Sequence, residues 1–356
     1  MPNRTRIAWA AAWLALMLAL ATPVRGQQGG VLTGQVENGT AGGPAAGAGL
    51  AVTLHITGGE TEMEPLQATT DSAGSFRFDS LSTDPELLYW PEVTYQGVAY
   101  GTGQGISFAQ GEQEQKAGLT VYEPTEDGGQ VRIESVHIVA QSFEQMLRVS
   151  EVHVLGNVGD RTFVGQATEE AGGRVTTLFI PLPENAVGVA FPEGEPADRF
   201  VQAGGGLWDT QPVPPGSEAS VVRFSYHLVA GGSSLPLERR FAYPVFSLNI
   251  LAVQPGLDVR GQQLQAGDPV TFQDTEYRVY EATGLGVDAP LEIELVPAAE
   301  LGGSGMPGTS PGVEPTSQPA SVGQQGLLRR LGFVLVVIAG AAGILYPLLT
   351  RPRARE

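Results

Sequence analysis

A Gly-x-Ser-x-Gly pentapeptide, Gly308-Thr309-Ser310-Pro311-Gly312, has the spacing of a nucleophile elbow. That chemistry needs a strained strand-to-helix turn and a histidine base beside the serine. The segment around Ser310 is glycine, serine, proline and threonine with few large apolar groups, so it offers neither. Gly101-Thr102-Gly103-Gln104-Gly105 has the glycine density of a phosphate-cradling loop. No helix is expected after it to supply a dipole, and no lysine stands at the P-loop position, so a strand connection is the expectation.

Four histidines raise the question of a metal. His55 and His227 alternate with apolar neighbours in unrelated strands and read as solvent-facing. His137 and His153 share a candidate hairpin centred between Ser142 and Phe143. That register sets His137 opposite Arg148 and His153 opposite Arg132, which opposes cation binding. No acidic stretch has the D-x-D-x-D-G calcium spacing. No metal, no cofactor and no enzyme activity is expected.

The aromatic side chains give the candidate ligand surface. Tyr89, Trp90, Tyr95 and Tyr100 cluster around one hairpin. Exposed, such rings stack on sugars or peptide partners; buried, they fill a core. Trp208 lies in 204–209, ahead of the prolines at 212, 214 and 215, where a ring either covers a sandwich edge or faces a partner.

The elements that must position these groups are strands. Val52, Leu54 and Ile56 alternate with Thr53 and His55; Phe76 and Phe78 alternate with Ser75, Arg77 and Asp79. Asp71-Ser72-Ala73-Gly74 is a turn signal, Tyr95-Gln96-Gly97-Val98 a hairpin tip, and 39–49 an exposed loop. Farther on, Val222, Phe224, Tyr226 and Leu228 alternate with Arg223, Ser225 and His227, and Leu291, Ile293 and Leu295 with Glu292 and Glu294. Two strands carry a phase shift: Val131 and Ile133 give way to Val136 and Ile138, and Leu147 and Val149 to Val152 and Val154. In the candidate hairpin both shifts fall at one level, which predicts a matched bulge or a bend toward another sheet.

Gly34-Gln35-Val36-Glu37-Asn38, Val52-Thr53-Leu54, Thr70-Asp71-Ser72-Ala73-Gly74-Ser75-Phe76-Arg77-Phe78 and Leu81 resemble the carboxypeptidase regulatory-like domain. The resemblance implies a small transthyretin-like β-sandwich of the carbohydrate-binding-like fold, a non-catalytic accessory module in exported bacterial proteins. It covers 30–125. Where that family has a proline-glycine-tyrosine step after the leucine, this chain has a longer loop, Ser82-Thr83-Asp84-Pro85-Glu86-Leu87-Leu88-Tyr89, so a relative's ligand contacts do not transfer.

The fold class expected is all-β: two tandem β-sandwich domains, transthyretin-like over 30–125 and immunoglobulin-like over 130–298, with a C-terminal transmembrane helix. The second rests on roughly nine strand runs, without a cysteine pair. Residues 1–26 read as a signal peptide, with Arg4 and Arg6 before an apolar run. Residues 300–326 read as a disordered Gly/Ser/Pro stalk. Residues 331–349 hold nineteen residues without a charge, enough at about 1.5 Å per residue to cross about 30 Å of hydrocarbon. Residues 351–356 form a cytoplasmic tail, so the expected place is the cell membrane, single-pass, with the large N-terminal part extracytoplasmic.

The formal net charge is −18, and the chain has no cysteine. Eight arginines lie in the two ends, leaving the middle more acidic still. Such a field repels nucleic acid and anionic lipid. Without cysteine there is no disulfide, thiolate zinc site or thiol redox chemistry. One lysine, Lys116, against nineteen arginines marks a GC-rich bacterial coding sequence. The function expected is surface presentation, scaffolding or adhesion by a non-catalytic, membrane-anchored protein. Two alternatives stay open: a carbohydrate-binding module protein, or an accessory subunit of a membrane complex. The partners are then the membrane, with a polysaccharide or a protein outside it, and no nucleic acid.

Overall fold

The computed structural model describes residues 29–58, 63–143, 146–193, 195, 198–229 and 234–297. The signal at 1–26, Ser310 and its stalk, the span at 331–349 and the tail at 351–356 lie outside them. Among the described residues every regular element is a strand, and no helix is long and apolar enough to cross a membrane. The chain is all-β and divides between Val121 and Tyr122 into two units.

The first unit has two sheets. One has the order β4 (Ser75–Leu81), β1 (Gly30–Asn38), β7 (Glu114–Val121), with β1 antiparallel to β4 and parallel to β7. The other has the order β3 (Leu66–Thr69), β2 (Ala51–Thr57), β5 (Leu88–Tyr95), β6 (Val98–Gly101). Alternation decides what is buried. Leu32, Val36, Phe76, Phe78 and Leu119 come from the first sheet, Val52, Leu54, Val93 and Val98 from the second, and all are buried. The hairpin tip is a two-residue turn: Tyr95 pairs with Val98, and Gln96 and Gly97 both take positive φ, 47° and 84°.

The turn between β3 and β4 explains its own residues. Asp71 Oδ1 accepts the amides of Ala73 (2.8 Å) and Ser75 (2.9 Å), and these bonds hold its carboxyl below the usual range. Thr70, buried beside it, donates to Gly47 O and accepts from the Leu50 amide, tying the 39–49 loop to the strand. Gly74 has φ 77°, and a Cβ there would lie 2.6 Å from Val36 O.

In the second unit an eight-stranded sheet runs β15 (Ala186–Ala190), β18 (Gly216–Val229), β10 (Met146–Asn157), β9 (Val131–Phe143), β20 (Val245–Gln254), β24 (Thr275–Leu285), β22 (Gln265–Ala266), with β23 (Val270–Phe272) also on β24. Against its inner face lie two three-stranded sheets. One is β14 (Leu178–Pro181), β17 (Gly206–Asp209), β16 (Phe200–Ala203); the other is β19 (Leu235–Arg239), β25 (Leu291–Pro297), β21 (Leu257–Arg260). Two short pairs complete it: β8 (Pro124–Thr125) with β11 (Thr162–Phe163), and β12 (Gln166–Thr168) with β13 (Arg174–Thr176). Pro124 and Thr125, expected with the first domain, pair inside the second. Val222, Phe224, Tyr226, Leu228, Leu248, Ile250, Leu178, Leu207, Leu291 and Leu295 fill the space between the layers.

The hairpin of β9 and β10 forms, but not at the expected place. Phe143 pairs with Met146, so His137 faces Val152 rather than Arg148, and His153 faces Val136 rather than Arg132. The register slides four residues, which leaves every side chain on its original face, so alternation could not distinguish the two. One bulge is present, in β9 between Ile133 and Ser135, against Val154 and Leu155 of β10. Strand β10 is regular through its own apparent shift. Leu147, Val149, Glu151, His153 and Leu155 all lie on the inner face, while Val152 and Val154 pack with Val221 on the outer one.

Gly74→Ala should lower the stability of the first unit by about 1–3 kcal/mol, because it adds positive-φ strain to a clash with the β1 backbone. The urea midpoint of the intact chain, followed by far-UV circular dichroism, should show an early transition. An unchanged curve would mean that the turn relaxes freely.

Candidate functional site

The five aromatic side chains singled out from sequence do not form a platform. Tyr89 is 1% exposed; its ring meets Phe108 edge-on at 5.6 Å and its hydroxyl donates to Ser82 O at 2.7 Å. Tyr95 and Tyr100 are also buried. They sit at alternate positions with Val93 and Val98 on the inner face, so the hairpin's aromatic residues are core residues. Trp90 points the other way and is half-buried. Its Nε1 donates to Thr57 Oγ1 at 2.9 Å, and Gly105 packs so close that a Cβ there would lie 2.8 Å from the indole. Trp208 lies in strand β17, not in a loop. It is half-buried against Phe179, with ring centroids 4.4 Å apart. The candidate ligand surface is corrected accordingly: three rings are inside, one is packed under a glycine, and the fifth belongs to the other unit.

Sequence reasoning passed over the most perturbed groups in the molecule. Glu151, on the inner face of β10, is fully buried. Its Oε1 accepts from Tyr226 Oη (2.6 Å) and its Oε2 from Arg239 Nη2 (2.7 Å), while His153 Nε2 lies 2.7 Å from Oε2. Arg239 Nη1 donates to Pro181 O at 2.9 Å. Phe224 and Phe241 flank the histidine at 5.6 and 6.2 Å. Burial by itself would push the Glu151 carboxyl up. The Arg239 charge, then the His153 and Tyr226 hydrogen bonds, outweigh it and hold the pKa at about 2. Since an ionised carboxylate only accepts, Nε2 is the hydrogen-bearing nitrogen of His153. Tyr226 is pushed well above its ordinary value by burial and by the neighbouring carboxylate, so its proton stays.

A second charged group ties the layers elsewhere. Arg199 makes a two-pronged contact with Asp209, Nε to Oδ1 at 3.0 Å and Nη2 to Oδ2 at 2.7 Å, and its Nη1 reaches Glu195 at 2.5 Å. The same guanidinium donates to Val221 O in the large sheet.

The histidines separate by face. His55 is half exposed beside Glu92 at 3.9 Å. His137 is buried on the outer face of the large sheet; desolvation, with His153 adding to it, lowers its pKa to about 4. Among the described residues no three His, Asp or Glu side chains stand together as a metal would need. Chemically, the Glu151 cluster can hold layers in register. Its carboxylate and the Tyr226 hydroxyl are fully buried, while Arg239 and Pro181 also line a groove of about 860 Å³.

No family model and no curated protein matches the chain. Among solved structures, the crystal structure of BcpA, the major pilin subunit of Bacillus cereus, is similar at 10% identity and a TM-score of 0.17, over 74% of this chain and 95% of that one. That likeness is too slight to carry fold or function from one to the other.

Two outcomes are expected. Arg239→Met strands the Glu151 carboxylate and should cost about 3–5 kcal/mol in urea unfolding, whereas adding Glu151→Leu in the same chain should restore part of the loss. If the single and double variants unfold alike, the pair contributes nothing as a pair.

The second concerns acid. His137 has a folded value of about 4 against about 6.5 when unfolded, so between these pH values the unfolded chain binds more protons. Its contribution is present above pH 6.5 and is lost as pH falls to 4, by roughly 3 kcal/mol. Glu151, lowered to about 2, should add a further loss below about pH 4.5. His137→Leu should flatten stability between pH 6.5 and 4.5 and leave the lower phase. A wild-type curve already flat there would contradict the assignment.

Proposed function

We propose that the chain is a non-catalytic protein of the cell membrane, exported by residues 1–26, anchored once by 331–349, with both β units presented outside for scaffolding or adhesion. The observation that carries this reading is the closure of its buried charges on one another. A reactive centre keeps its perturbed groups facing a cleft; Glu151 and Tyr226 turn theirs into the space between layers, both at 0% exposure, with the Arg239 guanidinium bound to the Glu151 carboxylate. Arg199 and Asp209, 7% and 1% exposed, are likewise closed on each other. The acidic, cysteine-free composition adds support, because a cell-exterior domain needs solubility and, here, holds together without disulfides.

Protease added to spheroplasts should degrade the part between the two hydrophobic segments while leaving an epitope fused after Glu356 intact. Protection of that middle part, with protease reaching it only after lysis, would place it in the cytosol and end the proposal.

A further inference from the structure

Three adjacent strands of the large sheet skip a beat at one level. On β9 the inner-face residues are Ile133 and then Val136; on β20, Val245 and then Leu248; on β24, Ala282 and then Leu285. Each step is three residues where a regular strand takes two. The registers align them: Val245 pairs with Ile133 and Leu285, and Ser247 with Ser135 and Thr283. Strand β10 carries no extra residue at that point. The extra residue of β9 is a bulge against β10, and β20 and β24 follow β9 in register, so the step runs across the sheet as a crease; bulges are a device by which strands re-aim side chains next to sites.

The crease turns Phe246 out of the molecule. Between the buried Val245 and Leu248, its ring is 72% exposed, more than any other large apolar side chain described. Gly284, at the same level on β24, has φ 66° and nothing within 4 Å of where a Cβ would be, so the floor beside the ring stays open. The ring borders a groove of about 500 Å³ on the outer face, within the range of small-ligand clefts, roughly 300–1,000 Å³. Its floor carries a row of hydroxyls set by register, Ser135, Ser247 and Thr283. The row holding Asn249 and Glu281 lies beyond it. Ser247 Oγ donates to Glu134 O at 3.1 Å, and Arg132 holds the Glu134 carboxylate at 2.8 Å. None of the lining residues is a lysine or arginine.

We infer that this crease is a binding site for a neutral oligosaccharide, with Phe246 stacking on the C–H face of a sugar ring and Asn249, Glu281 and the hydroxyl row meeting its hydroxyls. The acidic lining rejects anionic polymers. A basic peptide brings only donors to this lining, whereas a sugar's hydroxyls can both donate to Glu281 and Glu218 and accept from Ser135 and Thr283. The inference deepens the surface-presentation reading and rests on it, since such polymers lie outside the membrane.

The intact chain in detergent is titrated with cellohexaose, xylohexaose, mannohexaose and chitohexaose, and with a nona-arginine peptide. At least one of the neutral hexasaccharides should bind. Phe246→Ala should weaken that binding about tenfold or more, with Glu281→Gln or Asn249→Ala weakening it less and Trp90→Ala not at all. The urea midpoint of Phe246→Ala should match wild type, because the ring is exposed. Binding of none of the four sugars overturns the inference, as does equal binding by Phe246→Ala or a Phe246-dependent affinity for nona-arginine alone. Protease accessibility in spheroplasts is read separately: sugar binding can fail while the units prove external, and a cytosolic location would sink the presentation reading even if sugars bound.

Discussion

A carboxylate with no access to water decides how the second unit is put together. Glu151 takes hydrogen bonds from three side chains on three different strands: His153 on its own strand, Tyr226 on β18 and Arg239 on β19 of the facing layer. Through Pro181 O the same arginine reaches the other small sheet. Replacing such a group by hydrocarbon often costs nothing in stability, so its role has to be sought in specificity. The reason here is visible in β10, which is buried on both faces from Val149 onward. An apolar pattern on both faces does not say which way a strand should turn. If β10 slipped by one residue, Val152 and Val154 would fit the inner layer as well as Val149 does, but Glu151 would lose Tyr226 and Arg239. The charge distinguishes two arrangements that hydrophobicity leaves nearly equal.

Arg199 and Asp209 repeat the arrangement at another place, joining the residue before β16, the end of β17 and the Val221 carbonyl of β18. In a chain without cysteine, covalent cross-links between layers are absent. The two guanidinium groups occupy the corresponding positions between sheets, each with its donors spent on more than one strand. A planar fork with fixed donors suits this better than an ammonium would, and the chain's near-exclusive use of arginine gives it the means.

Much of the strand architecture was legible in the residues. Val52 with Leu54, Phe76 with Phe78, and Val222 through Leu228 alternate in sequence and are inside in the structure, and the Asp71–Gly74 and Tyr95–Val98 turns form as their residue types dictate. What failed had a common cause: periodicity reports that a strand has faces, not what lies against each. In β10 the apolar residues change phase because Glu151 and His153 hold inner positions and valines cover the outside, and this looked like a bulge. In β9 the same signal was a bulge. Ring clusters misled similarly, since Tyr89, Tyr95 and Tyr100 fall on alternating inner positions that could have been counted from Val93 and Val98. Phe246 escaped notice because an apolar pair, Val245-Phe246, hides the three-residue step that Ile133 to Val136 displays openly.

The network and the crease lie on opposite faces of one sheet, on neighbouring strands, and this placement couples them. His153, bonded to Glu151 on the inner side, pairs with Val136; His137, in the floor of the outer groove, pairs with Val152 one step along the same hairpin. Burial lowers the His137 pKa, and His153 on the other side of the sheet adds to that lowering. A surface cleft keeps its shape only if the shell behind it is fixed. Beside this one stands β10, held at Glu151 by His153, Tyr226 and Arg239, so the strand against which the crease begins is fixed in register. An outer face with an exposed ring and an acidic lining would be a liability on a loose sheet edge. Set on the middle strands of an eight-stranded sheet, whose backbone groups are already paired, it exposes a ring and hydroxyls without exposing a strand edge.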